Sequence, residues 1–362
     1  MVVGATNNSP ELGWCEMKEI HNDYPFLMAC RRKPAKYTPV WLMRQAGRYM
    51  KEYRALRKKY SFLEMCKNPE LAAKVTLLPV DQLNVDAAII FADILLPLEP
   101  MGIELEFAAN EGPIFRHPIR EMKQINALRI IEPEEDLPFL MEAIRMVRRE
   151  LEGRIPLIGF SGAPFTLASY VIESGHSKNY ILTKGMMYQD RAAWHGLMEK
   201  LVEVLIRYLN SQVRAGAQAL QVFDSWVGCL SPQDYEEYVL PYSTTVIDGV
   251  DKSVPLIHFA TSSSTLLEQM KRAGGDVIGL DWRVDLREAW GRVGHDVAIQ
   301  GNLDPVILFG PVERIEKEVK RILERAEGRP GHIFNLGHGI LPNTPVEHVV
   351  RLIDAVHEYS SR

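Results

Sequence analysis

The chain has 362 residues, 46% of them hydrophobic and 25% charged, a composition that excludes a disordered or fibrous protein and leaves room for one large domain or two ordinary ones. Its net charge of -5 argues against a general nucleic-acid binder, and no apolar run reaches the roughly 18 residues of a membrane span. Cys15, Cys30, Cys66 and Cys229 show no metal-ligand spacing and read as reduced thiols, so neither a metal nor a disulfide framework is expected.

Residues 1–25 read as an N-terminal extension without regular structure, and residues 26–362 as one catalytic domain. The extension lacks a secretory pattern, and Glu11, Glu16, Glu19 and Asp23 make it too acidic for a typical transit peptide. A cytoplasmic protein is expected, with a processed plastid form as the alternative. From Arg31 to Lys59 there are eleven Lys/Arg and one acid, Glu52; Lys58 and Lys59 suit a solvated helix, whereas Arg44 and Arg48 follow an apolar strand and suit an anion.

Short apolar runs bounded by turn residues mark buried strands. In chain order they are Val40–Met43, Ala87–Phe91, Leu157–Phe160, Ala219–Phe223, Leu256–Phe259, Val277–Leu280, Val297–Gln300 and Ile333–Leu336. Helix starts fall between them at Asn68-Pro69, at Ser231-Pro232 and at Thr344-Pro345-Val346-Glu347, where Thr344 and Glu347 could form a capping box. Trp194, Leu197, Leu201, Val204, Leu205 and Tyr208 recur at helical spacing between Asp190 and Gly216, which predicts a long helix packed on the sheet. No linker or repeat divides the chain. Eight strands alternating with helices predict an α/β fold, a single (β/α)₈ TIM barrel.

Chemistry in such a barrel gathers at the carboxyl ends of its strands. The residues found there are Arg44, Gln45 and Arg48; Asp93; Ser161 to Pro164; Asp224 and Ser225; Thr261 with three serines; Asp281; Asn302 and Asp304; and His338. Two guanidinium forks and an amide suit carboxylates. Asp93, in an apolar stretch, needs a cation or donors to offset its burial. No phosphate-binding or dinucleotide glycine motif follows a strand, so a nucleotide cofactor is not expected.

Two long blocks, Pro39-Val-Trp-Leu-Met-Arg-Gln-Ala-Gly-Arg48-Tyr49 and Ile158-Gly-Phe-Ser-Gly-Ala-Pro-Phe-Thr-Leu167, resemble the signatures of uroporphyrinogen decarboxylases. Phe91-Ala-Asp-Ile94, Phe223-Asp-Ser225, Gln300-Gly-Asn-Leu-Asp-Pro305 and Asn335-Leu-Gly-His-Gly339 complete the resemblance over about residues 35–355. It implies a homodimeric (β/α)₈ barrel that takes the tetrapyrrole uroporphyrinogen III to coproporphyrinogen III with no cofactor, nucleic acid or membrane. By the same resemblance Asp93, Arg44, Tyr170 and His338 are catalytic, and Arg44, Gln45, Arg48, Asp93, Tyr170, Ser225 and His338 bind substrate.

Two loops depart from the family's glycine-rich pattern: the one after Tyr170, Val171-Ile-Glu173-Ser-Gly-His176-Ser-Lys178, and Ala260-Thr-Ser-Ser-Ser264. Their side chains are expected to restrict loop movement or narrow the mouth. A corrinoid-dependent methyltransferase would need a zinc-binding His-x-Cys pair where this chain has His258-Phe259-Ala260. A tetrapyrrole-binding barrel without turnover is the remaining alternative.

Overall fold

The computed structural model describes residues 23–108, 112–175 and 177–362. Most of the predicted N-terminal extension, residues 1–22, lies outside the described residues, as do Cys15 and His176. Described structure begins with the helix Pro25–Cys30.

Nine strands are described: β1 (Ala88–Ile89), β2 (Leu105–Ala108), β3 (Gly112–Phe115), β4 (Leu157–Gly162), β5 (Ala219–Asp224), β6 (Leu256–Ala260), β7 (Val277–Gly279), β8 (Ala298–Gln300) and β9 (His332–Ile333). Seven of them form one curled parallel sheet in the order β1-β4-β5-β6-β7-β8-β9, while β2 and β3 make a separate antiparallel hairpin that the sequence reading missed. Parallel strands buried on both faces read as continuous apolar runs, which is why seven of the predicted runs coincide with these strands.

The predicted first strand, Val40–Met43, is corrected. Only Val40 bridges Phe334, because side chains take the N–H groups a ladder would use. Val40 N–H donates to Asp86 Oδ2 at 2.7 Å, Leu42 N–H to Gln45 Oε1 at 3.0 Å and Met43 N–H to Asn335 Oδ1 at 3.1 Å. Val40 nonetheless spans the gap between β9 and β1, since Phe334 N–H donates to the Pro39 carbonyl and Asp86 N–H to the Val40 carbonyl, each at 2.8 Å.

Side chains alternate across the sheet. Trp41, Ala87, Ile158, Ala219, Ile257, Val277, Ala298 and Ile333 fill its concave side and pack against Phe26, Leu27 and Cys30 of the first helix. That helix plugs the amino ends of the strands and leaves the carboxyl ends as the open side. Above the plug, Trp41 Nε1 donates to Gln300 Oε1, and Gln300 Nε2 donates to Gln221 Oε1.

Most predicted helices form where their caps indicate. Asn68, Asp190 and Ser231 accept N–H bonds at the starts of Pro69–Leu83, Arg191–Ala215 and Pro232–Tyr238. The capping box at Thr344 does not form: the last helix, Val346–Ser360, starts from Pro345 without a side-chain cap, and the buried Thr344 hydroxyl is unpartnered.

Candidate active site

The loops after β9 and after Val40 meet at the open side. Arg44 has a left-handed backbone, φ 60, and its side chain lies flat on Gly339, where an added Cβ would fall 2.4 Å from Arg44 Cδ. Gly337 is just as constrained, since a Cβ there would lie 2.4 Å from the Trp282 backbone nitrogen. These glycines let three loops touch, and His338 sits between them, half-buried. Burial and the nearby Arg44 charge both push the His338 pKa down, so the ring is neutral near pH 7.

Asp93 follows β1 and is partly buried among apolar neighbours. Its Oδ1 accepts one backbone N–H, from Leu95, at 2.9 Å. Burial raises its pKa from 3.8 to about 6, against the lowering effects of that bond and of Arg44. Beside it stands Tyr170, carried by the helix Pro164–Glu173. Burial and the Asp93 charge raise the phenol to about 12, while a hydrogen bond from the Trp226 side chain opposes them. Tyr170 therefore remains a neutral hydroxyl at physiological pH. The Trp226 ring meets the Tyr170 ring edge-on at 5.7 Å.

Ser225 and Trp226 lie in the turn after β5. Thr261 donates its hydroxyl to the Ser225 carbonyl at 2.6 Å, and Trp226 N–H donates to Thr166 Oγ1 at 3.3 Å. The Ser225 side chain has no protein partner among the described residues. Arg48 is exposed, and its guanidinium likewise has no protein partner among the described residues. The mouth thus gathers Arg44, Asp93, Tyr170, Ser225 and His338, with Arg48 at its edge.

Other predicted members point elsewhere. Gln45 is 1% exposed, and its amide is committed to backbone, accepting from Leu42 N–H and donating to the Ala87 carbonyl at 3.1 Å; it braces the wall and not a ligand. Asp224 continues the outward register of Leu220 and Val222 in β5. It is completely buried under the helices, with Thr166 Oγ1 donating to it at 3.1 Å and His258 Nε2 3.9 Å away. Asp281 accepts from Ser262 N–H and binds Arg283, Asn302 donates to the Asp281 and Val284 carbonyls, and Asp304 caps the turn at Val306. Asp281, Asn302 and Asp304 hold loops, and Asp224 ties its strand to the helix above it, rather than lining the opening. Among the described residues, no group of three or more His, Cys, Asp or Glu is arranged to hold a metal, and no helix is long and apolar enough to cross a membrane.

Sequence reasoning missed Trp226, whose ring packs on Tyr170. It stands two residues beyond Asp224, the first polar residue after the predicted strand, so reading on through the turn would have found it.

The family model described as uroporphyrinogen decarboxylase (URO-D) matches residues 21–359. Uroporphyrinogen decarboxylase of Carboxydothermus hydrogenoformans is 61% identical over 337 residues, covering 93% of this chain and 96% of the relative. That of Geobacter sulfurreducens is 55% identical over 338 residues, covering 93% and 99%. In fold, a methyltransferase from Methanosarcina mazei superposes with a TM-score of 0.79 at 22% identity, covering 93% of this chain and 98% of the other.

Proposed function

The chain belongs to the uroporphyrinogen decarboxylase family, and from that premise we propose that it converts uroporphyrinogen III to coproporphyrinogen III, releasing four acetate carboxyls as carbon dioxide on the route to haem and chlorophyll. The observation that carries this reading is Asp93, a carboxylate at the mouth with a single backbone donor in apolar surroundings. Such a group gains most from a ligand that brings N–H donors and positive charge. A tetrapyrrole offers inward-pointing pyrrole N–H groups.

A pyrrole protonated on carbon becomes a cation that takes up the electron pair left behind as carbon dioxide departs. The exocyclic methylene so formed gains a proton to become a methyl group, and the ring gives up the first proton. The substrate is its own electron sink, and the protein supplies positioning and charge stabilisation. In this reading Asp93 stabilises the cation, Arg44 and Arg48 hold carboxylates, Tyr170 and Ser225 donate hydrogen bonds, and neutral His338 contacts a propionate. We assign residues 26–362 to one catalytic domain and the curled sheet to a closed (β/α)₈ barrel, supported by the Val40 bonds to both neighbours. Homodimerisation would cover exposed Ile181, Leu182 and Tyr188. A cytoplasmic location follows the bacterial relatives.

The test is anaerobic turnover of uroporphyrinogen III by chelator-treated protein, with products separated by carboxyl number. Seven- to four-carboxyl products are expected, and Asp93→Asn should lose at least the roughly 10²–10³-fold of one electrostatic stabiliser, more than His338→Gln loses. A folded wild type that binds porphyrin without turnover would leave a binding protein instead.

A further inference from the structure

The proposed substrate is an octacarboxylate, yet the residues assigned to it above include only two cations, Arg44 and Arg48, both from one loop. A third guanidinium stands on the other side of His338. Arg283 lies in the turn after β7, whereas Arg44 follows Val40; in the order β7-β8-β9-Val40, the His338 loop falls between them. Contact between the loops is direct, because Gly337 packs against the Asp281–Trp282 backbone and Gly339 against the Arg44 side chain. Both guanidinium charges act on the His338 ring.

Arg283 is held in an unusual way for an exposed arginine. Its Nη1 donates to Asp281 Oδ2 at 2.8 Å, and its guanidinium lies over the Trp282 ring at 4.0 Å. Asp281 is itself fixed, since it also accepts from the Ser262 and Arg283 backbone N–H groups. The side chain remains 47% exposed, and its Nε and Nη2 have no protein partner among the described residues. An arginine fixed along one edge and on one face, with its remaining donors free, is pre-organised for a carboxylate. A stacked fork gives up less side-chain entropy on binding than a free one.

Resting on the decarboxylase reading, we infer that Arg283 is a further substrate-binding residue: with Trp282 as its platform, it receives a peripheral carboxylate of the tetrapyrrole on the side of His338 away from Arg44. The loop after β7 thereby joins the substrate site. Because the contact is peripheral to the reacting ring, it contributes to substrate binding and not to the chemical step.

Arg283→Gln should raise KM for uroporphyrinogen about tenfold, equivalent to about 1.4 kcal/mol, and leave kcat within about twofold. The ionic-strength dependence of log(kcat/KM) should become shallower because one cation has gone. Arg283→Lys should restore that dependence while recovering only part of KM, since an ammonium cannot reproduce the fork. An unchanged KM in Arg283→Gln, or a raised KM with an unchanged salt dependence, overturns the inference; the latter would mean that Arg283 merely braces Asp281. Fluorescence titration with uroporphyrin I, the oxidised octacarboxylate, reads the same site without turnover. Weakened porphyrin binding by the variant of a protein whose wild type does not decarboxylate would sink the decarboxylase reading and leave the Arg283 carboxylate site standing.

Discussion

Replacing Asp93 by Asn separates what the carboxylate does for chemistry from what it costs the fold. Burial holds its pKa near 6 instead of 3.8. At 1.36 kcal/mol per unit that shift amounts to about 3 kcal/mol, and partial exposure at the mouth reduces it to about 2 kcal/mol. The folded-state pKa is raised, so protonation favours folding. That contribution is complete below pH 3.8 and is lost as pH rises through 6. At pH 7.5 the native protein carries an ionised carboxylate at a cost that Asp93→Asn is spared. With an unfolding entropy of about 2.1 cal/mol/K per residue over 362 residues, the ligand-free variant should melt about 3 °C higher at pH 7.5. The advantage should shrink toward zero at pH 4. Wild-type kcat/KM should fall below pH 6 as the free enzyme's Asp93 takes up its proton. Calorimetric melting at both pH values, beside anaerobic turnover at pH 7.5, checks the account. A variant that melts lower at pH 7.5, or keeps its full advantage at pH 4, refutes it.

Gly339→Ala pushes a methyl group into Arg44 Cδ and Cγ, 2.4 and 2.7 Å away; displacement of the guanidinium should raise KM about tenfold with a small change in Tm, and steady-state kinetics reads the difference. Gln45→Leu leaves the Leu42 N–H and the Ala87 carbonyl without partners and should cost about 2–4 kcal/mol of stability by denaturant titration. A large rise in KM without that loss would return Gln45 to the substrate site. Asp86→Ala removes the acceptor shared by the Tyr37 hydroxyl, Val40 N–H and His357 Nε2. It should cost about 3 kcal/mol, with hydrogen exchange at Val40 and Trp41 quickening before that at Ile158.

Seven strands announced themselves because a doubly covered parallel strand is apolar throughout, Asn68-Pro69 and Ser231-Pro232 announced their helices by start chemistry, and the helix Arg191–Ala215 by the spacing of its apolar residues. Val40–Met43 could not be judged from its own composition, since the acceptors that divert its N–H groups include Asp86 and Asn335, 46 and 292 residues away. The β2–β3 pairing was legible and missed: Glu104 and Glu106 alternate with Ile103, Leu105 and Phe107, and Asn110 and Gly112 follow in the sequence. On placement, the strand-end rule put Arg44, Asp93, Ser225 and His338 at the open side, where the structure also brings them. It failed for Asp224 because that residue still belongs to the strand, and side-chain parity with Leu220 and Val222 sends it under the helices.

The two glycine-poor loops act as braces. Ser174 and Ser262 adopt left-handed backbones, φ 64 and 53, at a cost of roughly 1 kcal/mol each. Each position also supplies a bond that helps offset it: the Ser174 hydroxyl donates to the Phe115 carbonyl at 2.6 Å, and Ser262 N–H donates to Asp281. Neighbouring side chains add more, with Glu173 accepting from both the backbone and the hydroxyl of Thr183, and Thr261 holding the Ser225 carbonyl. Glycine would allow the same backbone but would lack the Ser174 and Thr261 hydroxyls, and the loops would sample more conformations. Of the two consequences expected from these side chains, restriction and narrowing, the hydrogen bonds favour restriction. They run from loop to loop and hold Tyr170's helix end, Ser225 and Asp281 in place before any ligand arrives, which lowers the ordering cost of binding.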